Sequence, residues 1–411
     1  MTTIINNENK KLNVPNLRFP EFQEEWEKCT LGNNVKIQGG YAFKSELFLR
    51  KGIPIIRISN LPQNASFVDL DDCTYYKEGN YNSFEVHNGD LLIAMSGATT
   101  GKTAIYNKKT LAYLNQRVGL FKSTNSDRLY YPFLYAFVST PVFKRQLSTR
   151  LIAGAQPNIS SSDIESIRIS IPQKTSEQEK IAHLMLLLDK RIATQNKIID
   201  KLQSLIKGLN DFLYTQYGGE VLTSFAELGT SYSGLSGKSA QDFGSGKPFI
   251  TYLNVYSNNV IKENDFQYVA IKDDEKQNVV KYGDVLFTLS SETPEEVGVG
   301  SVYLGKEKVY LNSFCFGIHI TNTEVAFPPY LSYYVSLTAF RKFIYPYAQG
   351  STRFNLCKAD FEKASIKLPT LADQKRIYSI LSHIDNKIIT ERQMLDLYNS
   401  QKQYLLRQMF I

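Results

Sequence analysis

Residues 171–202 read IPQKTSEQEKIAHLMLLLDKRIATQNKIIDKL, and residues 368–398 repeat that pattern as LPTLADQKRIYSILSHIDNKIITERQMLDLY. The alignment places Gln178 on Gln374 and Asp189 on Asp385, each pair 196 positions apart. Self-similarity at a fixed separation is the signature of an internal duplication. The chain therefore consists of two copies of one pattern.

The duplication extends upstream of these two stretches. Asn115 aligns with Asn312 at a separation of 197, whereas the segments GIPIIRISN and GKPFITYLN align at 194. The second copy has thus gained three residues, and the insertion falls in SSETPEEVGVG, the counterpart of SGATTGKT. Lys102 thereby aligns with Val299. The copies agree in their scaffold and differ in this loop, as expected if each uses the loop on a different target.

Each copy begins with short β-branched and aromatic runs, such as PIIRIS and DLLIAMS, separated by glycine turns. That pattern predicts a compact α+β domain. Within it, YPFLYAFVSTPVFKRQL and PPYLSYYVSLTAFRKFI each predict one amphipathic helix with proline in its first turn. The predicted domains are an N-terminal segment (1–25), a first α+β domain (26–172), a central long helix (173–217), a second α+β domain (218–369) and a C-terminal long helix (370–411).

The long helix that ends each copy carries an apolar seam. Apolar residues recur at spacings of three and four, with polar interruptions near Gln195 and Glu391. About 34 residues would make each helix about 50 Å long. Each helix either packs on its own domain or pairs with the other as a coiled coil, and the matched seams favour pairing. The residues predicted for the seam or for docking a partner are Ile181, Leu184, Leu188, Ile198, Leu202, Leu205, Leu209, Ile377, Ile380, Ile384, Ile388 and Leu395.

Composition limits the class of protein. Hydrophobic residues make up 43% and charged residues 21% of the 411 residues, and no apolar run approaches the roughly 20 residues of a membrane span. The polar N-terminus lacks a secretory signal, so we expect a cytoplasmic protein. The four cysteines form no C-x-x-C pair and predict neither disulfides nor zinc. A net charge of +7 permits a nucleic-acid partner.

Three motifs suggest catalysis and are rejected on their residues. SGATTGKT places its first glycine one residue too close for a phosphate-binding loop. FPPYL resembles the [DNS]-P-P-[YF] motif of adenine methyltransferases, but Phe327 has no polar atom to hold a base. The four histidines share no metal-ligand spacing. We therefore predict no catalytic, cofactor-binding or metal-binding residue in this chain; a self-sufficient DNA adenine methyltransferase or a nucleotide-dependent DNA enzyme is the alternative.

The arrangement closely resembles the specificity (S) subunits of type I restriction-modification systems. The resemblance covers nearly the whole chain and rests on NLRFPEFQEEWEKCTLG (16–32), LNQRVGLF (114–121) and the duplicated IPxxxxEQxKI segment. In the second copy that segment becomes LPTLADQKRI, and LNQR becomes LNSF.

The resemblance implies an α+β fold in which two tandem target recognition domains are joined by two long antiparallel coiled-coil helices, with a pseudo-twofold internal repeat. It implies a non-catalytic DNA-binding subunit whose domains each read one half of a bipartite, asymmetric site. The helices would set the spacer and dock two methyltransferase (M) subunits, and restriction/translocase (R) subunits would join them. S-adenosylmethionine, ATP and Mg are expected in those partner subunits, and methylation at adenine N6.

Candidate DNA contacts follow from side-chain chemistry. Gln116 and Arg117 suit adenine and guanine edges, and Lys102 lies in the loop where the copies diverge. Basic residues that align at one helix end in both copies either contact phosphate or stabilise the helix C-terminus. The full set is Lys102, Gln116, Arg117, Lys144, Arg145, Arg341, Lys342 and Arg353.

Overall fold

The computed structural model describes residues 2–3, 13–62, 66–151 and 157–411. The chain divides into two compact units, the first comprising Met1–Ile198 with Glu391–Ile411 and the second comprising Ile199–Thr390. Each unit thus includes half of each long helix. Part of the predicted N-terminal segment, namely residues 1 and 4–12, lies outside the described residues. Among the residues described, no helix combines the length and the apolar character needed to cross a bilayer.

The first unit contains short strands and helices followed by the start of a long helix. Its strands are β1 (Thr2–Thr3), β2 (Leu17–Arg18), β3 (Glu27–Thr30), β4 (Val35–Gly39), β5 (Ile53–Ile56), β6 (Thr74–Tyr76), β7 (Glu85–Val86), β8 (Leu91–Ala94), β9 (Thr103–Ile105), β10 (Ala112–Leu114), β11 (Val118–Ser123) and β12 (Arg168–Ile171). Its helices are α1 (Phe133–Phe137), α2 (Pro141–Ser148), α3 (Ser161–Glu165) and the first part of α4 (Thr175–Tyr217).

An antiparallel sheet in the order β4-β11-β8-β9 forms the middle layer of the first unit. Along β8, Leu91 and Ile93 join the core formed with the helices. Leu92 and Ala94 point the other way and join the core shared with the sheet β6-β5-β10-β7. Successive side chains alternate between faces of a strand, so both faces of this sheet are buried. That explains why DLLIA reads as a continuous apolar run.

The second unit repeats this layering. Its strands are β13 (Val221–Thr223), β14 (Gly229–Ser233), β15 (Phe243–Ile250), β16 (Gln267–Val269), β17 (Val285–Thr288), β18 (Ser290–Ser291), β19 (Gly300–Val302), β20 (Tyr310–Leu311), β21 (Cys315–Ile320), β22 (Ala348–Gln349), β23 (Phe354–Leu356) and β24 (Ile366–Leu368). Its helices are α5 (Phe225–Leu228), α6 (Tyr252–Ser257), α7 (Pro328–Tyr334), α8 (Thr338–Ile344), α9 (Lys358–Lys363) and most of α10 (Leu371–Gln408). Along β17, Val285 and Phe287 face the helices, and Leu286 faces the sheet β16-β15-β20.

Each amphipathic helix predicted as one element is broken into two. In the first unit the break lies between α1 and α2, because Pro141 lacks an N–H and disfavours helical geometry at the preceding residue. Thr140 then caps α2 by accepting a hydrogen bond from the Phe143 N–H at 3.1 Å. In the second unit the Asp211 carboxylate of α4 accepts from the Thr338 N–H at 2.9 Å, at the start of α8. The prediction of two uninterrupted helices was wrong.

Both long helices exceed the predicted length of about 34 residues. Helix α4 has 43 residues and α10 has 38. At about 1.5 Å per residue, these correspond to roughly 64 and 57 Å.

The seam of each long helix is continuous once its polar members are included. In α4 a row at alternating spacings of four and three is buried or half-buried, and it comprises Ile181, Met185, Leu188, Ile192, Gln195, Ile199, Leu202, Ile206, Leu209 and Leu213. In α10 and the residue that follows it, the corresponding row comprises Ile377, Leu381, Ile384, Ile388, Glu391, Leu395, Tyr398, Lys402, Leu405 and Met409. Three residues predicted for the seam, Ile198, Leu205 and Ile380, are instead 38%, 52% and 38% exposed.

Polar contacts in the first unit set the direction of helix pairing. Asp189 of α4 pairs with Lys402 of α10, and the Gln195 amide donates to the Glu391 carbonyl at 3.0 Å. The residue number of the α10 partner falls as the residue number in α4 rises, so the helices run antiparallel there. In the second unit, Arg376 near the start of α10 stacks on Tyr217 at the end of α4, 5.4 Å from the ring centroid. The predicted antiparallel pairing is confirmed within each unit.

A buried glutamine joins the start of each long helix to the α+β domain that precedes it. The Gln178 carbonyl oxygen accepts from the Tyr130 N–H at 2.8 Å, and its amide donates to the Arg128 and Pro172 carbonyls, both at 2.9 Å. Gln374 makes the same three contacts with the counterparts of those residues, namely Phe327, Val325 and Pro369, at 2.8–2.9 Å. Both glutamines are fully buried. The repeated glutamine is therefore a structural clamp.

The two copies differ at the residue before this glutamine. In the first unit, Glu177 forms a bidentate ion pair with Arg18, with both N to O distances at 2.7 Å, and accepts from the Trp26 indole at 3.2 Å. The Trp26 ring in turn contacts Phe410, near the end of the chain. In the second unit, Asp373 instead accepts from the Thr370 hydroxyl at 2.6 Å. The NLRFPEF segment is thus clamped to the first long helix by a buried ion pair.

Substituting Gln178 by alanine should destabilise the first unit. The change leaves the Tyr130 N–H and the Arg128 and Pro172 carbonyls, which are buried or partly buried, without their partner. It should lower the free energy of unfolding by about 2 kcal/mol or more. Gln203→Ala, at an exposed position of α4, should change it by less than about 0.5 kcal/mol. Denaturant midpoints of the two purified variants test this, and equal midpoints would contradict the clamp.

Candidate nucleic-acid interface

Three segments that lie far apart in the sequence meet beside the end of β8. They are residues 95–102, 115–117 and 157–159, which we call the first junction. The Met95 N–H donates to the Arg117 carbonyl at 2.9 Å, and the Ile159 N–H donates to the Met95 carbonyl at 3.0 Å. The Gly97 N–H donates to the Pro157 carbonyl, also at 3.0 Å. Backbone hydrogen bonds therefore hold the glycine-rich turn beside the LNQR turn.

The glycine-rich turn is a hairpin loop between β8 and β9. Gly97 and Gly101 both have φ of +86°, a conformation that side chains disfavour. Two backbone hydrogen bonds, both at 2.8 Å, close the loop: the Ala94 N–H donates to the Lys102 carbonyl, and the Gly101 N–H donates to the Ala94 carbonyl. Strand β9 follows at Thr103, where a phosphate-binding loop would begin a helix. The segment therefore forms a turn followed by a strand, which agrees with the rejection of a phosphate-binding loop from its glycine spacing.

A second junction in the second unit is built by the same bonds. It comprises residues 288–299, 312–314 and 353–356. The Leu289 N–H donates to the Phe314 carbonyl at 2.8 Å, and the Leu356 N–H donates to the Leu289 carbonyl at 2.9 Å. The Thr288 N–H donates to the Val299 carbonyl at 3.0 Å, as Ala94 does to Lys102. The alignment of Lys102 with Val299 therefore holds in the fold, and Phe314 occupies the position of Arg117.

The inserted loop of the second junction is held by an arginine. The Arg341 guanidinium donates to the carbonyls of Gly298 at 2.6 Å, Glu295 at 2.8 Å and Val297 at 3.0 Å. Burial lowers the pKa of Arg341. The loop backbone is thereby fixed, while the side chains of Glu292 and Glu295 remain exposed.

The predicted DNA contacts fall into two groups. Lys102, Gln116 and Arg117 lie in the first junction and Arg353 in the second; all but the half-buried Lys102 are exposed. The others lie on helices: Lys144 and Arg145 on α2, Arg341 and Lys342 on α8. Partial burial, with the Lys402 ammonium as a second cause, lowers the pKa of Lys144. The fold thus brings Lys102, Gln116 and Arg117 together in one junction. The candidates on helices lie outside the junctions, although the Arg341 guanidinium contacts the loop of the second.

Sequence reasoning missed the glycines that allow the junctions to form. A Cβ at Gly40 would lie 2.2 Å from the Asn115 carbonyl oxygen, and one at Gly234 would lie 2.0 Å from the Asn312 oxygen. The backbone carbonyl of Tyr41, next to Gly40, accepts from the Gln116 N–H at 2.9 Å, and Tyr41 is 41% exposed. The recurrence of these glycines in both copies was the available signal.

A buried polar cluster occurs in the second unit alongside β17. Asp284 accepts from the Tyr232 hydroxyl at 2.7 Å and lies 2.8 Å from His319 Nδ1. It also accepts from the Lys281 N–H at 2.8 Å, and Asp90 makes the matching turn contact with the His87 N–H. Burial, followed by the Asp284 charge, raises the pKa of Tyr232. The shared role of the two aspartates is to close the turn before the strand.

A model of the family "Type I restriction modification DNA specificity domain" matches residues 23–204 and 229–397. The MjaX specificity subunit of Methanocaldococcus jannaschii is 26% identical over 421 residues, covering 93% of this chain and 92% of that protein. The MjaVIII specificity subunit of the same organism is 28% identical over 207 residues, and that match spans 47% of each protein.

Solved structures show the same fold. An S subunit of a type I restriction-modification system from M. genitalium superposes with a TM-score of 0.59 at 13% identity, covering 97% of this chain and 99% of its own. A chain from a structure described as addressing complex assembly of the type I R-M system superposes with a TM-score of 0.51 at 14% identity. The match covers 93% of this chain and 96% of that chain. Together these matches support the α+β fold with two tandem copies predicted from the sequence.

Adding one methyl group at Gly40 should disturb the first junction. In Gly40→Ala the new Cβ meets two backbone carbonyls within 2.4 Å, so the LNQR turn must move, at a cost of about 1–3 kcal/mol of unfolding free energy. Gly39→Ala is a matched control, because nothing lies within 4 Å of a Cβ there. Denaturation midpoints should fall for Gly40→Ala only; an equal effect of both variants would show that the close approach is unimportant.

Proposed function

We propose that this chain, which belongs to the type I restriction modification DNA specificity family, reads a bipartite DNA site with one junction on each half. The observation that carries the proposal is the pair of junctions, built from the same backbone hydrogen bonds yet presenting different side chains. Specificity subunits supply recognition and are non-catalytic. Methyl transfer and DNA cleavage belong to their partners.

The differences between the junctions support an asymmetric site. The first junction presents Lys102 and Arg117, where the second has Val299 and Phe314. The second also has the longer loop, with two exposed glutamates. Lysine and arginine suit phosphate and guanine, whereas a carboxylate accepts from the cytosine amino group. Two scaffolds that display different donors and acceptors would select different half-sites.

The long helices are the proposed docking surface for two methyltransferase subunits. Each helix carries large apolar side chains that are at least half exposed, which marks a surface suited to a partner. These residues are Leu187, Leu205 and Phe212 on α4, and Ile389, Leu397 and Tyr404 on α10. S-adenosylmethionine, ATP and Mg would be bound by the methyltransferase and restriction subunits, and the complex would act on cytoplasmic double-stranded DNA.

The isolated chain should bind DNA but transfer no methyl group. We expect no saturable binding of ATP or S-adenosylmethionine by calorimetry, and N6-adenine methylation only after methyltransferase subunits are added. Methyl transfer, or saturable binding of ATP or S-adenosylmethionine, in a preparation free of partner subunits would favour the alternative, a self-sufficient methyltransferase or nucleotide-dependent enzyme.

Exchanging one recognition domain should change one half-site. If residues 26–172 are replaced by the same region of another family member, methylome sequencing should show one altered half of the motif and one retained half. The reason is that each junction is closed by bonds within its own unit. A change in both halves would refute independent reading.

Lengthening both helices should lengthen the spacer. Four residues inserted after Asp200 and after Ile388 would add about 6 Å, equivalent to one or two base pairs at about 3.4 Å each. Inserting two residues at each place instead rotates the seam by about 200° and should abolish assembly with the methyltransferase. An active four-residue variant with an unchanged spacer would mean that the helices dock partners without setting the distance.

A further inference from the structure

Phe314 is an exposed aromatic residue at a position where the first unit has an arginine. Its backbone is fixed on both sides, because its N–H donates to Asn312 Oδ1 at 2.9 Å and its carbonyl accepts from the Leu289 N–H at 2.8 Å. The side chain is nevertheless 49% exposed. A rigid backbone that holds a large apolar ring at the surface of the junction suggests that the ring has a partner.

That partner is Arg353, which comes from a different part of the chain. Its guanidinium carbon lies over the Phe314 ring, 5.0 Å from the centroid, and its Nε donates to Ser290 Oγ at 2.8 Å. Arg353 follows the tight turn between β22 and β23, where Gly350 has φ of +147° and a Cβ would lie 2.0 Å from the Arg353 carbonyl oxygen. The stacking and the hydrogen bond fix the plane of the guanidinium before any ligand arrives.

Both junctions therefore display a guanidinium, supplied by different elements. In the first junction it belongs to Arg117 on the turn between β10 and β11. In the second junction, the matching turn between β20 and β21 carries Phe314 instead. The guanidinium there belongs to Arg353, on the hairpin before β23, and stacks on the Phe314 ring. The counterpart of Arg353 in the first copy, Gln156, lies outside the described residues.

The free edge of Arg353 determines what it can bind. Its Nε is used by Ser290 and one face by Phe314, while Nη1 and Nη2 have no hydrogen-bonding partner among the residues that the structure describes. Two parallel N–H groups in one plane match the O6 and N7 acceptors of guanine in the major groove. A phenylalanine beside them can contact a thymine methyl group.

We propose that Arg353, stacked on Phe314 and oriented by Ser290, reads a guanine in the half-site assigned to the second unit. Phe314 and Ser290 are positioning residues for the guanidinium. The assignment rests on the proposed function of the chain and adds the base and the side chain that recognises it.

The test uses the complete complex, with the chain expressed together with its methyltransferase subunits, and the readout is the methylated motif. Arg353→Ala should relax one G·C position in one half-site, lowering discrimination there by about 10- to 100-fold. Arg353→Lys should relax the same position, because it keeps the charge but loses the planar fork. Phe314→Leu should weaken preference at that position without changing the other half-site.

Lys308→Ala is the charge-matched control, since Lys308 is exposed in the same unit and lies outside the junction. It should leave the motif unchanged. Binding of the purified complex to duplexes over a range of salt gives a second readout. An unchanged motif in Arg353→Ala, with a salt slope reduced by about one, would identify a phosphate contact and overturn the proposal. Loss of specificity in the other half-site would overturn it equally.

These outcomes differ from failure of the proposed function. If the unaltered complex binds DNA without sequence preference, or methylates no bipartite motif, the function itself is wrong. If the unaltered complex reads a bipartite motif and Arg353→Ala reads the same one, only the role of Arg353 is wrong.

Discussion

The fold depends on one buried amide in each copy, that of Gln178 and of Gln374. A glutamine side chain offers an acceptor and two donors, and here all of them bond to backbone. Each amide joins the first turn of a long helix, the proline that precedes it and the loop before a recognition-domain helix. Because each amide is fully buried and all of its hydrogen-bonding groups are used, the start of the helix is held in one position on its domain.

The two copies show how one scaffold can present two surfaces. The hydrogen bonds that recur in both junctions and join their segments run between backbone N–H and carbonyl groups. Side chains at matching positions have diverged in charge, size and aromatic character. In the part of the chain that the structure describes, the buried ion pair of Arg18 with Glu177 has no counterpart around Asp373, so the copies also differ in how their helices begin.

The sequence was sufficient to predict the duplication and the pairing of the two long helices, because each leaves a repeated or periodic pattern. The antiparallel direction of the pairing was implied by the family resemblance. The sequence did not show which row of residues forms the seam of α4. Asp189 and Gln195 are buried there, and a pattern based on apolar residues alone moves to the wrong row. The break at Thr140 was missed because helical periodicity continues across Pro141. Phe314 was missed because its partner, Arg353, is close only in the folded chain.

The backbone construction of the junctions separates what a residue recognises from whether the protein folds. Any residue except proline can donate at Met95 or Leu289, and the carbonyls of Arg117 and Phe314 accept whatever side chain they carry. Substitutions at these four positions can leave those bonds in place, so the side chains on the surface of the turns can diverge while the backbone framework is kept. The exceptions are Gly97 and Gly101, which have φ of +86°, and Gly40 and Gly234, whose added Cβ would meet a backbone carbonyl. They should be the slowest positions of the turns to change.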